Sequence, residues 1–415
     1  MKLGSLFDGS GTCPLAASAV GIIPAWASEI EPFPKAVTQS RFPKMEHLGD
    51  ITKMNGAEIE PVDVITFGSP CQNFSIAGNG EGLAGRESSL FFEAVRVIKE
   101  MRCATNGRFP QIVIWENVYG AFSSTQGEDF RTVIETLWKI CEGNDSVPRY
   151  AEDKRGRQKW PHTGFVLGDH SSIAWRGLDA QGWGVPQRRK RVFVVLDLGG
   201  QCAGQILFER EGLRRDFKKV RRTGETVRPA SETSPVEHHH VYAVENHAQD
   251  CRVSLRPDNT VQTLTGRMGT GGGNVPLVLV PCFGQSSYDE YSPTEQAVTL
   301  KATGGNYGGG KGALIQEDKS ATLSCNNDQT LFVPTQTENG EVIYLARELT
   351  PTECASLQGF EKDWCALVPH KDSVEYKMWG NGMAFPCMLY IMEGVQEVLS
   401  ERYLDNLFGG DTTEP

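Results

Sequence analysis

Short apolar runs alternate with amphipathic helical patterns through the first 200 residues of this chain. Lys2–Phe7, Ile23–Ser28, Val62–Phe67, Ile112–Trp115 and Val192–Leu198 read as buried strands. Pro14–Val20 and Leu90–Met101 carry helical periodicity: Leu90, Phe91, Ala94, Val95 and Ile98 fall near one helix face. Strands alternating with helices predict an α/β fold, a mostly parallel, doubly wound sheet with helices on both faces. In such sheets ligands bind beyond the carboxyl ends of the strands, so the loops that follow the strands are where chemistry is expected.

The pattern changes near Gly199. Residues 209–235 are charged and irregular, and 241–335 are rich in Gly, Thr, Asn and Ser. Residues 260–279 and 296–315 form a near-repeat of strand, glycine-rich loop and strand, which predicts a smaller β-rich module. Apolar helical character returns with Leu345 and runs through Leu399. The expected domains are 1–199, 200–340 and a 341–415 segment that returns to the first.

Charge and cysteine usage narrow the function classes. The chain has 415 residues and a net charge of −11, which argues against a histone-like polycation but not against nucleic acid. Residues 151–230 hold 17 Lys and Arg against 9 Asp and Glu, a basic stretch inside an acidic body. No apolar run approaches the roughly 20 residues a membrane helix needs. Acidic and glycine residues by position 9 break any signal peptide, and the 11 scattered cysteines read as reduced thiols of a cytoplasmic protein. Adjacent His238, His239 and His240 cannot all face one ion in regular structure, so no metal is expected.

Four motifs lie at strand ends. Phe7-Asp8-Gly9-Ser10-Gly11-Thr12 is a glycine turn that lets backbone approach a ligand, but it lacks the third glycine of a dinucleotide fingerprint. Glu29 ends the second strand, where an acid can bind ribose hydroxyls, and Asp50-Ile51 could meet an adenine amino group and face. Gly68-Ser69-Pro70-Cys71-Gln72-Asn73-Phe74-Ser75 sets a cysteine at a strand end; alone it is either a cleft nucleophile or a buried small hydrophobe. Trp115-Glu116-Asn117-Val118 places a carboxyl at the end of a very apolar strand, where desolvation raises its pKa. In Gln187-Arg188-Arg189-Lys190-Arg191, strand alternation puts Arg189 and Arg191 on one face and Arg188 and Lys190 on the other.

In this order the motifs resemble the DNA cytosine methyltransferases that modify carbon 5, over nearly the whole chain. Later blocks continue the likeness: Arg347-Glu348-Leu349-Thr350-Pro351, Gln358-Gly359-Phe360 and Gly380-Asn381-Gly382-Met383. The resemblance implies a Rossmann-like class I methyltransferase fold with a smaller target-recognition domain. It implies S-adenosyl-L-methionine as cofactor, held by Phe7, Gly9, Gly11, Glu29, Asp50, Ile51, Pro70, Leu90 and Asn381. Cys71, Glu116, Arg189 and Arg191 would be catalytic, with Gln72, Asn73, Ser75 and Arg267 on the DNA. Gly382 departs from the family, many of whose members carry Ser or Ala there. The expected partner is double-stranded DNA, read by a monomeric bacterial or phage-encoded enzyme of the restriction-modification type. An RNA cytosine methyltransferase and a non-catalytic DNA-binding relative stay open as alternatives.

Overall fold

The alternation builds one eight-stranded sheet, seen in a computed structural model of the chain. Backbone and side chains are described for residues 1–69, 90–142, 147, 160–208, 323, 349–405 and 407. Ser89, residues 406 and 408, and the strands between 242 and 348 are described by backbone alone.

Five parallel strands come first: β1 (Lys2–Leu6), β2 (Ile23–Ser28), β3 (Glu46–His47), β4 (Val64–Phe67) and β5 (Ile112–Val118). Helices α1 (Thr12–Ala19), α2 (Pro32–Arg41) and α3 (Ser89–Ala104) connect them. α4 (Glu128–Trp138) leads to an antiparallel extension, β6 (Thr163–Leu167), β7 (Ser172–Asp179) and β8 (Lys190–Asp197). β8 pairs antiparallel with β5, and the sheet order is β3-β2-β1-β4-β5-β8-β7-β6. β1 is therefore the switch point: the chain goes to one side of it for β2 and β3, then to the other for β4 and β5. Ligand crevices open at such points, past the strand ends.

Two apolar layers cover the sheet. One packs Ile65, Phe67, Val113, Trp115, Trp175 and Val194 under α3 and α4. The other packs Leu3, Val64, Ile114, Phe193 and Val195 against α1 and α8 (Phe385–Phe408). Strand alternation makes both possible, since neighbours along each strand point to opposite faces. α8 lies on α1, so the chain's late residues complete the core of its first ones.

The chain divides into two units. The first holds Met1–Glu211, Thr322–Asn327 and Thr350–Pro415; the second holds Gly212–Ala321 and Asp328–Leu349. The second contains β9 (Tyr242–Asn246) between β10 (Val253–Arg256) and β11 (Leu277–Leu279). It also contains a four-stranded antiparallel sheet of β12 (Val298–Thr303), β13 (Gly312–Glu317), β14 (Gln329–Gln336) and β15 (Val342–Glu348). In the first unit, α5 (Ala203–Leu207) follows β8, and α6 (Pro351–Leu357) and α7 (Asp372–Asn381) precede α8.

Several element boundaries differ from expectation. The first strand stops at Leu6, because Phe7 adopts a positive φ of 57°. The fourth begins at Val64 rather than Val62. The fifth runs on to Val118, because β8 continues to pair with it through Arg191, so Glu116 and Asn117 are strand residues. The last begins at Lys190, not Val192. The spacer between Val118 and Gln187 holds α4, β6 and β7, and residues 148–159 of its basic stretch lie outside the described residues. Thr350-Pro351 opens α6 as a capping box, Thr350 and Glu353 each satisfying the other's backbone N–H.

Candidate active site

The glycine turn between β1 and α1 is left-handed at Phe7, Gly9 and Gly11 (φ 57°, 58° and 80°). Phe7 holds a conformation that costs a non-glycine residue about 1–3 kcal/mol, a strain that clusters at ligand sites. Gly11 needs its missing side chain: a Cβ would stand 3.0 Å from Thr38 Cγ2. Gly9 faces open space, its nearest neighbour the Phe7 carbonyl at 3.9 Å from a built Cβ. The Trp364 indole N–H donates to the Ser10 carbonyl at 2.9 Å, tying the turn to the C-terminal segment.

Glu29 sits where the sequence puts it, at the end of β2 beside this turn. Its Oε2 accepts from the Gly9 N–H at 2.9 Å, and its Oε1 accepts from the N–H groups of Ile30 and Glu31, both at 2.8 Å. Asp50 caps a short 3-10 turn through the Thr52 N–H, and that bond, with a second from the Thr52 hydroxyl, holds its pKa below the usual value. Ile51 does not offer an apolar face: it is buried in the core under β1 and β4, since the 3-10 turn aims it inward. Ile30, next to Glu29 and 66% exposed, presents the apolar surface the sequence reading assigned to Ile51. Its signal was available, an isoleucine between two acids at a strand end. Leu90, at the start of α3, packs partly buried against the core.

Asp8 is a polar group the motif reading passed over. It is buried, its Oδ1 accepts from the Ser5 hydroxyl at 2.6 Å, and its Oδ2 has no hydrogen-bond partner among the described residues. Burial pushes its pKa up to about 7, against the Ser5 hydrogen bond and with added repulsion from Glu29. The folded carboxyl thus binds its proton more tightly than the unfolded one. Its stabilising contribution is full below about pH 4 and is lost as pH rises through about 7. Asp8→Asn is expected to flatten the pH dependence of the urea unfolding midpoint across that window; an unchanged slope would show that Asp8 is already ionised.

Glu116 and Arg191 form the centre of the site. Glu116 points to the α1 and α8 face, with Ile112, Ile114 and Phe193. The β5–β8 register sets Glu116 opposite Phe193 and Arg191 opposite Val118, so the two charges are diagonal neighbours on one face. Arg191 Nε lies 3.0 Å from Glu116 Oε1, with side chains 12% and 11% exposed. Burial raises the Glu116 pKa, while the guanidinium groups of Arg191 and Arg189 lower it. Gly68, at the end of β4, faces this carboxylate: a Cβ there would stand 3.1 Å from Glu116 Oε2.

Asn117 performs a different task. Its amide donates to the Ser69 carbonyl at 3.3 Å and to its hydroxyl at 3.5 Å, while the Trp115 indole N–H donates to the same hydroxyl at 3.4 Å. Ser69 is the last described residue before Pro70 and Cys71. The Glu-Asn pair therefore presents a carboxylate on one face and anchors the root of the cysteine segment on the other. Pro70, Cys71, Gln72, Asn73 and Ser75, and Arg267 further on, lie outside the described residues.

Arg189 lies close enough to act on Glu116 together with Arg191, but its hydrogen bonds go elsewhere. It is buried, its guanidinium donating to the carbonyls of Gly380 (2.9 Å) and Gly382 and, at 3.4 Å, of Leu323. The two glycine carbonyls flank Asn381, so Arg189 holds the turn that carries an expected cofactor ligand. Alternation put both arginines on one face correctly; their separate partners depend on where the C-terminal turn returns. Arg188 and Lys190 are exposed on the other face. Gly382 is closely packed, a built Cβ lying 3.1 Å from Gln358 Oε1 and 3.2 Å from Ser10 Oγ.

Comparison with known proteins decides the family. The sequence pattern of C-5 cytosine-specific DNA methylase matches residues 1–141 and 169–397. The chain belongs to the C-5 cytosine-specific DNA methylases.

Among relatives of this methylase, a protein of Escherichia phage P1 named "DNA N-6-adenine-methyltransferase" is 29% identical over 488 residues, covering 96% of this chain. The chain spans 61% of that relative's length. The "Type II methyltransferase M.HhaI" of Haemophilus parahaemolyticus is 23% identical, with 95% of this chain and 94% of that protein covered. The structure of the Entamoeba histolytica methyltransferase EhMeth shares the fold, with a TM-score of 0.51 and 12% identity over 96% of this chain and 98% of that one. The mixed α/β architecture with its large, mostly parallel sheet is thus that of the methylase. Among the described residues no group of three His, Cys, Asp or Glu side chains could hold a metal, and no helix is long and apolar enough to cross a membrane.

Proposed function

We propose that this methylase transfers a methyl group from S-adenosyl-L-methionine to carbon 5 of a cytosine swung out of duplex DNA. The observation that carries the reading is the buried Glu116–Arg191 pair at the end of β5, beside the anchored root of the Pro70-Cys71 segment. S-adenosyl-L-methionine, when bound, supplies an electrophilic sulfonium methyl. The turn at Phe7–Gly11 fits such a group, because Gly9 faces open space, Glu29 stands beside it and exposed Ile30 offers a face for an adenine ring. Asn381, exposed on the turn held by Arg189, would complete the pocket.

Carbon 5 of cytosine is a poor nucleophile. The Cys71 thiolate would add at carbon 6, forming a carbon–sulfur bond and pushing the ring's electron pair toward carbon 5. Glu116 would give or share a proton at ring nitrogen 3 and so stabilise the charge developing there; its raised pKa suits that task. Arg191 holds the Glu116 carboxyl in place and would meet the 2-carbonyl oxygen. Once carbon 5 has taken the methyl group, a base removes the carbon 5 proton and the thiolate leaves. A base stacked in a duplex is out of reach of these residues, hence the extrusion. The second unit would read the site, with residues 200–340 as the target-recognition domain. Arg267, Gln72, Asn73 and Ser75 would contact DNA.

The phage P1 relative's name supplies a second reading, methylation of adenine at its amino nitrogen. That nitrogen attacks a sulfonium methyl directly and needs no thiol adduct. The cysteine motif therefore favours cytosine. The test is incubation of the chain with tritiated cofactor and duplex DNA, then with RNA, followed by nucleoside digestion. Label in 5-methylcytosine from duplex DNA is the expected result. Label in N6-methyladenosine species, or in RNA alone, would overturn the reading.

A further inference from the structure

His370 lies in the loop before α7, and both of its ring nitrogens face acceptors. Nδ1 is 2.6 Å from the Val368 carbonyl, and Nε2 is 2.6 Å from Glu375 Oε2. A neutral imidazole has one N–H and can donate only once. With a carbonyl on one side and a carboxylate on the other, the ring makes both bonds as donor only when it carries two protons. Glu375 is itself buried, and its Oε1 accepts from the Trp379 indole N–H at 2.9 Å. An ion pair reaches from α7 to the residue before α2: Lys377 Nζ is 3.0 Å from Glu31 Oε1. That pair is half exposed and contributes little by itself.

The imidazole also packs against the Phe33 ring of α2, centroid to centroid 4.6 Å. α2 begins directly after Glu29-Ile30-Glu31, and α7 ends at Asn381. His370 thus stands between the two segments that would wall the cofactor pocket. We propose that doubly protonated His370 is a positioning residue: its two hydrogen bonds fix the ring on α7 in the orientation that packs on Phe33 of α2, and so hold Asn381 and Glu29 at the separation the cofactor needs. The proposal rests on the reading of those two segments as cofactor walls.

The groups that face His370 are Glu375 and Asp372 on α7, the Val368 carbonyl in its own loop and the uncharged Phe33 ring on α2. Burial pulls the imidazole pKa down, but the carbonyl and the two carboxylates outweigh it and hold it above the usual value. A neutral ring must give up one of the two bonds and turn, so the ring is fixed against Phe33 at low pH and released as pH rises through the folded midpoint.

Isothermal titration of S-adenosyl-L-methionine into the full chain and into His370→Gln tests this at about pH 6 and about pH 9. The cofactor's amine and Asp8 also titrate, but they do so in both proteins, so the ratio of the two Kd values isolates His370. The wild type is expected to bind about five-fold more tightly than the variant at the lower pH, and equally at the higher one. A ratio that does not change with pH overturns the latch. Absence of binding by the wild type at both pH values overturns the cofactor reading and the latch with it. Should His370→Gln not fold, NMR titration of the wild-type imidazole serves instead. By reciprocity, bound cofactor must raise the His370 midpoint; an unmoved midpoint overturns the proposal.

Discussion

Cys71→Ser is expected to lower methyl transfer to duplex DNA by at least about 10³-fold while leaving cofactor affinity within about two-fold. A thiol is partly ionised near neutral pH and strongly nucleophilic; a serine hydroxyl at the same place is neither, unless a base activates it. Apart from Pro70, the residues proposed to hold the cofactor come from other segments, Phe7–Gly11, Glu29 and Asn381 among them. Ser69 would still be anchored by Asn117 and Trp115, so the root of the segment would keep its place. Tritium transfer from labelled cofactor measures the first quantity and calorimetry the second. A duplex carrying 5-fluorocytosine adds an independent readout, because the wild type should form a denaturant-resistant adduct and the variant none. Substantial transfer by the serine variant would end covalent catalysis through Cys71, whatever the family.

Arg191→Ala is expected to be the most damaging single change away from the nucleophile. Both members of its pair with Glu116 are nearly buried. Removing one partner of a buried ion pair strands the other and costs about 3–5 kcal/mol. Glu116 can escape that cost by taking up a proton, which its burial already favours. Its folded pKa stands above the unfolded one, so its contribution is present at low pH and is lost as pH rises through the folded value. Losing Arg191 moves that folded value further up. The variant should then be more strongly destabilised at about pH 8 than at about pH 5.5 in urea unfolding, and Glu116→Gln added to it should restore much of the loss at the higher pH. Equal destabilisation at both pH values would mean that Glu116 keeps its charge without Arg191. In the otherwise native chain, Glu116→Gln should lower kcat by about 10²–10⁴-fold, as expected when a proton-donating carboxyl is removed.

Much of the site could be read along the chain because it sits at the ends of periodic segments. The apolar run Ile112–Trp115 ends in a carboxyl, and an acid there must be desolvated; Glu116 is. Alternation through Gln187–Arg191 separates arginines facing inward from those facing outward, and the structure buries Arg189 while exposing Arg188 and Lys190. Ile51 went the other way. Local pattern made it a neighbour of Asp50 near the pocket, but a 3-10 turn rotates it into the core. The spacer strand β6 also escaped notice, since it is a half-exposed edge strand.

What the residues determined alone was the family and the class of fold: period-two and helical patterns are local, and so is a glycine turn or an acid after a strand. Which charge meets which was decided in three dimensions. The Glu116–Arg191 pair exists only because β8 runs antiparallel to β5 in one register, and Arg189 reaches Gly380 and Gly382 only because the C-terminal segment folds back onto the first strands. The His370 contacts with α2 arise in the same way, from packing between segments distant in sequence. Register and docking depend on the summed burial of whole faces, so they leave no local mark on the residues they bring together.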